Sequence, residues 1–232
     1  MDKTSGNTKI KDAVTLHAEA QDMDDGEWII YDVNCSETFS TWLEKYSPSK
    51  VYSDDGIGWI AVEGHTRRDH KKEHVALLDE LLEAWDTLKE SGRPIKLQTI
   101  SDLAKTYFVT TGKWLFYVES GAKVDYLWRL VATGVVEGQL PSISAKVSPY
   151  KENTDGKHVI CIYNNDFTNE EDVYLLESAI RKIGIKCKMY YKPDVFTLIG
   201  VYSRNEWGLR PSIYQSTFEI TSRQSTISKS SQ

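Results

Sequence analysis

Short runs of strand-forming residues alternate with helical patterns along most of this chain. β-branched and aromatic residues cluster at residues 27–33, 57–62, 113–118, 143–147 and 157–163. No strand-to-helix turn carries a glycine-rich phosphate loop, and strands outnumber helices. This pattern predicts an α+β fold in which a curved, largely antiparallel sheet carries helices on its convex face. The concave face is then free to form a site.

Helical periodicity fills the segments between these strands. The longest apolar stripe includes Val75, Leu78 and Trp85 and predicts the longest helix, over residues 70–90. Further helices are predicted after a Ser36 cap, at residues 101–107 and 123–136, and from a capping box at residues 168–171 up to Gly184. Residues 187–191, 196–202 and 213–218 are predicted to be the last strands.

The polar ends of the chain set the predicted domain boundaries. Residues 1–24 and 220–232 have few apolar anchors, so we expect a flexible N-terminal arm and a flexible C-terminal tail. Residues 25–219 are predicted to form a single α+β domain, since 232 residues with 40% hydrophobic residues can bury a full core.

Several functional classes are disfavoured by composition and motifs. There is no signal pattern and no apolar run long enough for a membrane span, so a cytoplasmic protein is expected, with the nucleus as a further location. Cys35, Cys161 and Cys187 lack CxxC spacing and are predicted to be reduced thiols. No catalytic triad, Walker or dinucleotide motif occurs, so the sequence favours a non-catalytic protein without a metal or a cofactor.

Two groups of short sequence motifs resemble known families. GKWLF at residues 112–116 followed by VDYLW at residues 124–128 resembles the strand-then-helix signature of the cap-binding translation initiation factors. ICIY at residues 160–163, the polar turn and acidic-capped helix after it, and IGI at residues 183–185 are similar to the next strand and the last large helix of that fold. This resemblance covers residues 110–202 and implies the cap-binding-factor fold.

A second resemblance spans nearly the whole predicted domain. WLEKYSPSK at residues 42–50, GKHVIC at residues 156–161, YKPDV at residues 191–195 and RPSIY at residues 210–214 are similar to the basophilic leukaemia-expressed protein family. That family is uncharacterised and is assigned to the cap-binding-factor fold. The resemblance therefore implies a fold but no activity.

The resemblance implies a nucleotide or RNA site with an incomplete cap pocket. Trp59 and Tyr163 stand near expected base contacts, and Lys146, Lys151 and Lys157 stand near expected phosphate contacts. The segment at residues 100–107 lacks the tryptophan and glutamate that hold a methylated guanine in those factors. The usual cap sandwich is therefore not expected.

A separate basic cluster lies between His65 and His74. It contains Arg67, Arg68, Lys71 and Lys72. A solvated helix start explains it, and a patch that faces RNA or a protein partner is the second interpretation. His70 and His74 have the i,i+4 spacing of a zinc site, but the residues between them do not follow the HExxH order.

Three functional hypotheses remain at this point. The leading one is a non-catalytic module that binds RNA or a nucleotide. The first alternative is a protein-interaction module that has lost ligand binding, which the net charge of −6 favours. The second alternative is an enzyme that acts on nucleotides or phosphate esters.

Overall fold

The computed structural model describes residues 18, 20–21, 23–34, 36–64, 75–152 and 156–230. The strands of this part are β1 Glu27–Ile30, β2 Ile57–Glu63, β3 Gly112–Glu119, β4 Ser144–Val147, β5 Lys157–Asn164, β6 Met189–Pro193, β7 Tyr214–Glu219 and β8 Gln224–Lys229. The α-helices are α1 Phe39–Lys45, α2 Leu78–Glu90, α3 Leu97–Thr106, α4 Ala122–Val136, α5 Glu170–Lys182 and α6 Asp194–Leu198. Pro48–Lys50 and Ser53–Asp55 form 3-10 turns.

All eight described strands join one sheet in the order β1-β2-β4-β5-β3-β6-β7-β8. The pair β1 and β2 is parallel, and every other pair is antiparallel. The predicted class, an α+β fold with a curved and largely antiparallel sheet and helices on the convex face, is confirmed.

One face of the sheet packs against α4 and α5. Trp114, Phe116 and Val118 of β3 are buried in the same apolar cluster as Trp128 of α4 and Leu176 of α5. The indole Nε1 of Trp114 donates to the carbonyl oxygen of Val173 at 2.9 Å. The side chains between these core positions point to the opposite face, because successive side chains alternate along a strand.

A buried ionic network ties α5 to the two last strands. Arg181 donates to Glu177 at 2.8 Å, and their side chains are 6% and 4% exposed. The hydroxyl of Ser216 in β7 contacts both side chains, at 2.6 Å from each. Ser225 of β8 donates to the other oxygen of Glu177 at 3.3 Å.

The helix predicted over residues 70–90 is shorter where it is described. Residues 65–74 lie outside the described part, and α2 begins only at Leu78. The amide of Leu77 is at 3.0 Å from the Tyr107 carbonyl oxygen, so a tertiary hydrogen bond anchors the backbone at this end of the helix. Val75 is 77% exposed and has little core to pack against. Among the described helices, α4 is the longest, with 15 residues.

The strand predicted over residues 196–202 is wrong, because the chain forms α6 there. Pro193 is extended and leads directly into the helix, and the amide of Asp194 bonds to the carbonyl oxygen of Thr111 at 2.9 Å. Val195 and Phe196 are both buried, as are Ile199 and Val201. A short apolar run fits a buried helix as well as a strand, so periodicity alone could not decide between them.

Two predicted caps are replaced by neighbouring residues. Thr38, not Ser36, caps α1 by accepting from the amide of Thr41 at 3.3 Å. Asn169 caps α5 by accepting from the amides of Glu171 and Asp172. The Thr168 hydroxyl instead donates to the carboxylate of Asp166 at 2.7 Å, which prevents the expected capping box.

Both predicted domain boundaries differ from the structure. Most of residues 1–24 lies outside the described part, but Met23 and Asp24 are helical and Asp24 contacts the sheet. The predicted tail at residues 220–232 contains β8, which pairs with β7 along its whole length. Ile227 packs against the core, and Lys229 pairs with Glu170 at 2.8 Å. One apolar residue within a polar segment is a weak sequence signal for a strand.

Removal of β8 tests whether this segment stabilises the domain. A chain that ends after Ser222 loses the Ile227 packing and the Ser225 contact, and we expect its free energy of unfolding to fall by about 2 kcal/mol. Urea unfolding followed by tryptophan fluorescence measures this difference. A chain that ends after Ser230 keeps β8 and should match the full chain. Equal stability of all three chains would show that β8 does not contribute.

Candidate functional site

A cavity of about 700 Å³ lies on the face of the sheet that α4 and α5 do not cover. Its floor is built from alternate residues of the central strands, among them Lys113, Leu115 and Tyr117 of β3. The other lining side chains that matter below are Asp24, Trp59, Lys146, Val159, Cys161, Tyr190, Lys192, Thr197, Tyr202 and Arg210. The same alternation that buries Trp114 therefore delivers Lys113 to this cavity.

Three buried lysines define the character of the cavity. Lys113, Lys146 and Lys192 are 9%, 8% and 7% exposed, although lysine is almost never buried without a partner. Lys113 and Lys192 stand directly opposite each other on the adjacent strands β3 and β6. Lys146 of β4 stands opposite Cys161 of β5. The concentration of positive charge favours an anionic ligand.

Lys113 is held in its charged form by α6. Its ammonium lies 2.6 Å from the carboxylate of Asp194 and 3.4 Å from the hydroxyl of Thr197. Burial lowers the pKa of Lys113, but the adjacent Asp194 more than offsets this and raises the pKa above its ordinary value. Lys113 is therefore a fixed cation at neutral pH.

Lys146 lies inside an aromatic cage. Its Nζ is 3.8 Å from the ring centre of Trp59, 4.5 Å from that of Trp28 and 6.0 Å from that of Tyr163. The carboxylate of Asp24 lies 3.0 Å from the same Nζ. Burial lowers the pKa of Lys146, and the Asp24 carboxylate acts in the opposite direction. An internal cation thus occupies the ring faces of the two tryptophans.

The segment that carries Asp24 is fixed by close backbone packing on β2. A side chain at Gly58 would overlap the carbonyl oxygen of Met23, so only glycine allows this approach. Asp24 also accepts a hydrogen bond from the indole Nε1 of Trp59 at 2.9 Å. Ala20, Met23 and Asp24 therefore form one wall of the cavity.

Lys192 differs from the other two lysines. Its Nζ lies 3.6 Å from the ring centre of Tyr202, and in the described part of the chain it has no hydrogen bond and no ion pair. Burial lowers the pKa of Lys192 to about 7, and the positive charge of Lys113 acts in the same direction. A substantial fraction of this amine is therefore neutral at pH 7.

The cavity contains some of the sequence-predicted site residues and excludes others. Trp59 and Lys146 line it. Tyr163 does not line it, but its ring centre lies 5.2 Å from the Lys113 Nζ. Lys151 and Lys157 are exposed and do not line the cavity. Arg67, Arg68, Lys71 and Lys72 of the secondary basic patch lie outside the described residues, as do His65, His70 and His74.

Sequence reasoning missed Lys113, Lys192 and Arg210 as site residues. Lys192 lies in the motif YKPDV, for which the family resemblance implies no site. The sequence does contain a signal for a buried lysine. Lys192 is the one basic residue in the largely apolar segment from Met189 to Phe196. Arg210 lies in the motif RPSIY, for which the resemblance likewise implies no site.

The described cysteines are free thiols. Cys161 lines the cavity, and burial raises the pKa of its thiol, so the reactive thiolate is disfavoured. Cys187 is half-buried before β6.

No group of His, Cys, Asp and Glu within the described ranges could hold a metal ion. None of the helices described here is long and apolar enough to cross a membrane.

The architecture is that of an α+β protein built around one largely antiparallel sheet. Residues 86–200 match the model of the family described as Basophilic leukemia-expressed protein Bles03, and the predicted family resemblance is confirmed over this region. The motifs GKHVIC and YKPDV lie within this region and supply Cys161 and Lys192 of the cavity, whereas RPSIY, which supplies Arg210, lies outside it.

Solved structures of eIF4E proteins are similar to parts of the chain. A complex of C. elegans eIF4E-3 with the 4E-binding protein Mextli and a cap analog is 17% identical over 37% of this chain and 51% of that chain, with a TM-score of 0.32. A Schistosome eIF4E complexed with m7GpppG and 4E-BP is 16% identical over 46% of this chain and 58% of that chain, with a TM-score of 0.35. The matched regions thus span little more than half of the length of these structures.

Replacement of Lys192 by methionine should stabilise the protein without ligand. An apolar side chain of similar length removes an uncompensated buried charge, and we expect a gain of about 2 kcal/mol at pH 7. Between pH 7 and the ordinary lysine pKa of 10.5, Lys192 is protonated in the unfolded chain but largely neutral in the folded one. Folding then releases a proton, so the stability of the wild type rises with pH. The gain of the variant should therefore shrink from pH 7 to pH 10.

Urea unfolding at pH 7 and pH 10 measures both effects. Lys113→Met is the matched control, because it leaves the Asp194 carboxylate without its partner and should destabilise the protein. A Lys192→Met variant that is less stable than the wild type at pH 7 would contradict the inferred environment of Lys192.

Proposed function

We propose that the protein is a non-catalytic module that binds a nucleotide or the phosphate-bearing end of an RNA in the cavity. The observation that carries this proposal is the charge imbalance among the lining residues. Lys113, Lys146 and Lys192 share two carboxylates, Asp194 and Asp24, and Lys192 has neither hydrogen bond nor ion pair in the described part of the chain. Arg210 adds a fourth cation to the lining.

Phosphate oxygens would complete this arrangement. A buried ammonium without a counterion is costly, and a phosphate group supplies both negative charge and hydrogen-bond acceptors. The small set of cations also agrees with the net charge of −6, because a local pocket needs far fewer basic residues than a surface that follows a nucleic acid backbone.

Aromatic side chains beside the lysines favour a ligand that carries a planar base. Tyr117 and Tyr190 line the cavity, and Tyr117 is 59% exposed. A base can stack on such a ring. The ring faces of Trp28 and Trp59 already contact Lys146. The proposed base site is therefore formed by Tyr117 and Tyr190 and not by a tryptophan pair. The cap ligands named for the eIF4E structures motivate the choice of probes but do not define the ligand.

Loss of the uncompensated lysine should weaken ligand binding. A charge-assisted hydrogen bond to phosphate contributes about 1.5 to 3 kcal/mol, so we expect Lys192→Met to lower affinity at least about tenfold. Quenching of tryptophan fluorescence measures binding of m7GpppG, GTP, ATP and a short single-stranded RNA. Lys157→Met is the matched control, because Lys157 is exposed outside the cavity and its loss should leave affinity unchanged.

The outcome of this titration separates the hypotheses. Saturable quenching by one probe that is lost in Lys192→Met supports the nucleotide or RNA site and identifies its class. If no probe changes the fluorescence of the folded wild type, the proposal is wrong and a protein-interaction module becomes the leading hypothesis. If Lys157→Met abolishes binding while Lys192→Met does not, the ligand binds outside the cavity.

Asp24 should compete with an anionic ligand for Lys146. In Asp24→Asn the side chain can still accept the hydrogen bond from Trp59, but it no longer neutralises Lys146. Because Asp24 is half exposed, we expect a modest gain, about threefold tighter binding of the responding probe. Asp25→Asn changes net charge equally at an exposed neighbouring position and should have no effect. Weaker binding in Asp24→Asn alone would mean that Asp24 helps to hold the ligand.

A further inference from the structure

Two lysines face each other across the strand pair β3 and β6. Lys113 and Lys192 are directly opposite in the antiparallel register, where like charges are destabilising. The Asp194 carboxylate is 2.6 Å from the Lys113 ammonium, so Lys113 keeps its charge. The repulsion between the two ammonium groups therefore disfavours the charged form of Lys192.

The surroundings of Lys192 favour a neutral amine. It is 7% exposed, and its Nζ lies 3.6 Å from the ring centre of Tyr202. Four described groups act on its charge: Lys113 from β3 disfavours it, whereas Asp194 from α6, Cys161 from β5 and the ring of Tyr202 favour it. Burial outweighs the favourable contributions and lowers the pKa of Lys192 to about 7.

The amine is also accessible to a ligand from the cavity. Lys192 lines the cavity of about 700 Å³, together with Tyr190, Thr197 and Tyr202. A neutral lysine amine beside another cation in an apolar pocket is a nucleophile toward carbonyl carbon. The exposed Lys123 differs in this respect. It pairs with Glu119 at 2.9 Å, which raises the pKa of Lys123.

We propose that Lys192 is a nucleophilic amine that forms a Schiff base with an aldehyde or ketone that carries an anionic group. The amine adds to the carbonyl carbon to give a carbinolamine. Loss of water from this adduct then forms the C=N bond, so the reaction needs no oxidant and no reductant. Lys113, Lys146 and Arg210 line the same cavity and would hold the anionic group. This covalent chemistry goes beyond reversible nucleotide binding and does not depend on it.

Pyridoxal 5′-phosphate is a suitable probe, because it carries both an aldehyde and a phosphate. The full chain is incubated with a small excess of the probe, sodium borohydride reduces the imine to a stable secondary amine, and peptide mass spectrometry locates the adduct. We expect Lys192 to be labelled at least tenfold faster than Lys123 at pH 7.5. The labelling rate should rise between pH 6 and pH 8, with a midpoint near the pKa of about 7.

Two variants and a second probe sharpen the result. Lys192→Arg keeps the positive charge but should remove the dominant adduct without moving it to another lysine. Lys113→Met removes the neighbouring cation and leaves Asp194 near Lys192, so the labelling midpoint should move to higher pH. Pyridoxal, which lacks the phosphate, should label Lys192 more slowly if the cavity cations hold the anionic group.

The proposal is overturned if the wild-type adducts are spread evenly over the exposed lysines or if Lys192 reacts no faster than Lys123. Peptide mapping of the wild type gives this answer even if a variant does not fold. Nucleotide binding measured by fluorescence is a separate readout. Labelling of Lys192 without nucleotide binding would leave the Schiff-base proposal intact and contradict the proposed function.

Discussion

The alternation of side chains along β3 is the constraint on which both faces of the protein depend. Trp114, Phe116 and Val118 enter the core, whereas the intervening Lys113 and Tyr117 enter the cavity. A shift of the register by one residue would place an ammonium in the apolar core and an indole in the cavity. Burial of the apolar face against α4 and α5 therefore also fixes the positions of the cavity residues.

The charge of the cavity is set by segments that are not part of its floor. Asp194 reaches Lys113 from α6, and Asp24 reaches Lys146 from the helical turn before β1. Each carboxylate neutralises one cation, and Asp24 also lines the cavity. The two pairs differ in exposure, since the Asp24 side chain is 48% exposed and that of Asp194 is 20% exposed. A ligand can therefore displace Asp24 more easily than Asp194.

Local patterns predicted most of the fold but only part of the site. Strands β2, β3 and β5 follow from runs of β-branched and aromatic residues, whereas α6 was mistaken for a strand because five or six apolar residues fit either structure. Lys146 was found through the family resemblance. Its partner Asp24 is 122 residues away in the sequence, and no local pattern connects residues so distant. Lys192 was missed because a buried lysine and a surface lysine look alike until the sheet register is known.

Lys192, which has no ion pair in the described part of the chain, is the main support for the proposed ligand. The sheet itself does not require a cation at position 192, since an aliphatic side chain would cover the neighbouring rings without the cost of desolvating a charge. The register with Lys113 increases this cost. Natural sequences depart from stable local choices mainly at functional sites, where another molecule or a reaction compensates for the loss. A phosphate would compensate by neutralising the ammonium, and a carbonyl compound would compensate by converting the amine to an imine, so both proposals arise from the same uncompensated group.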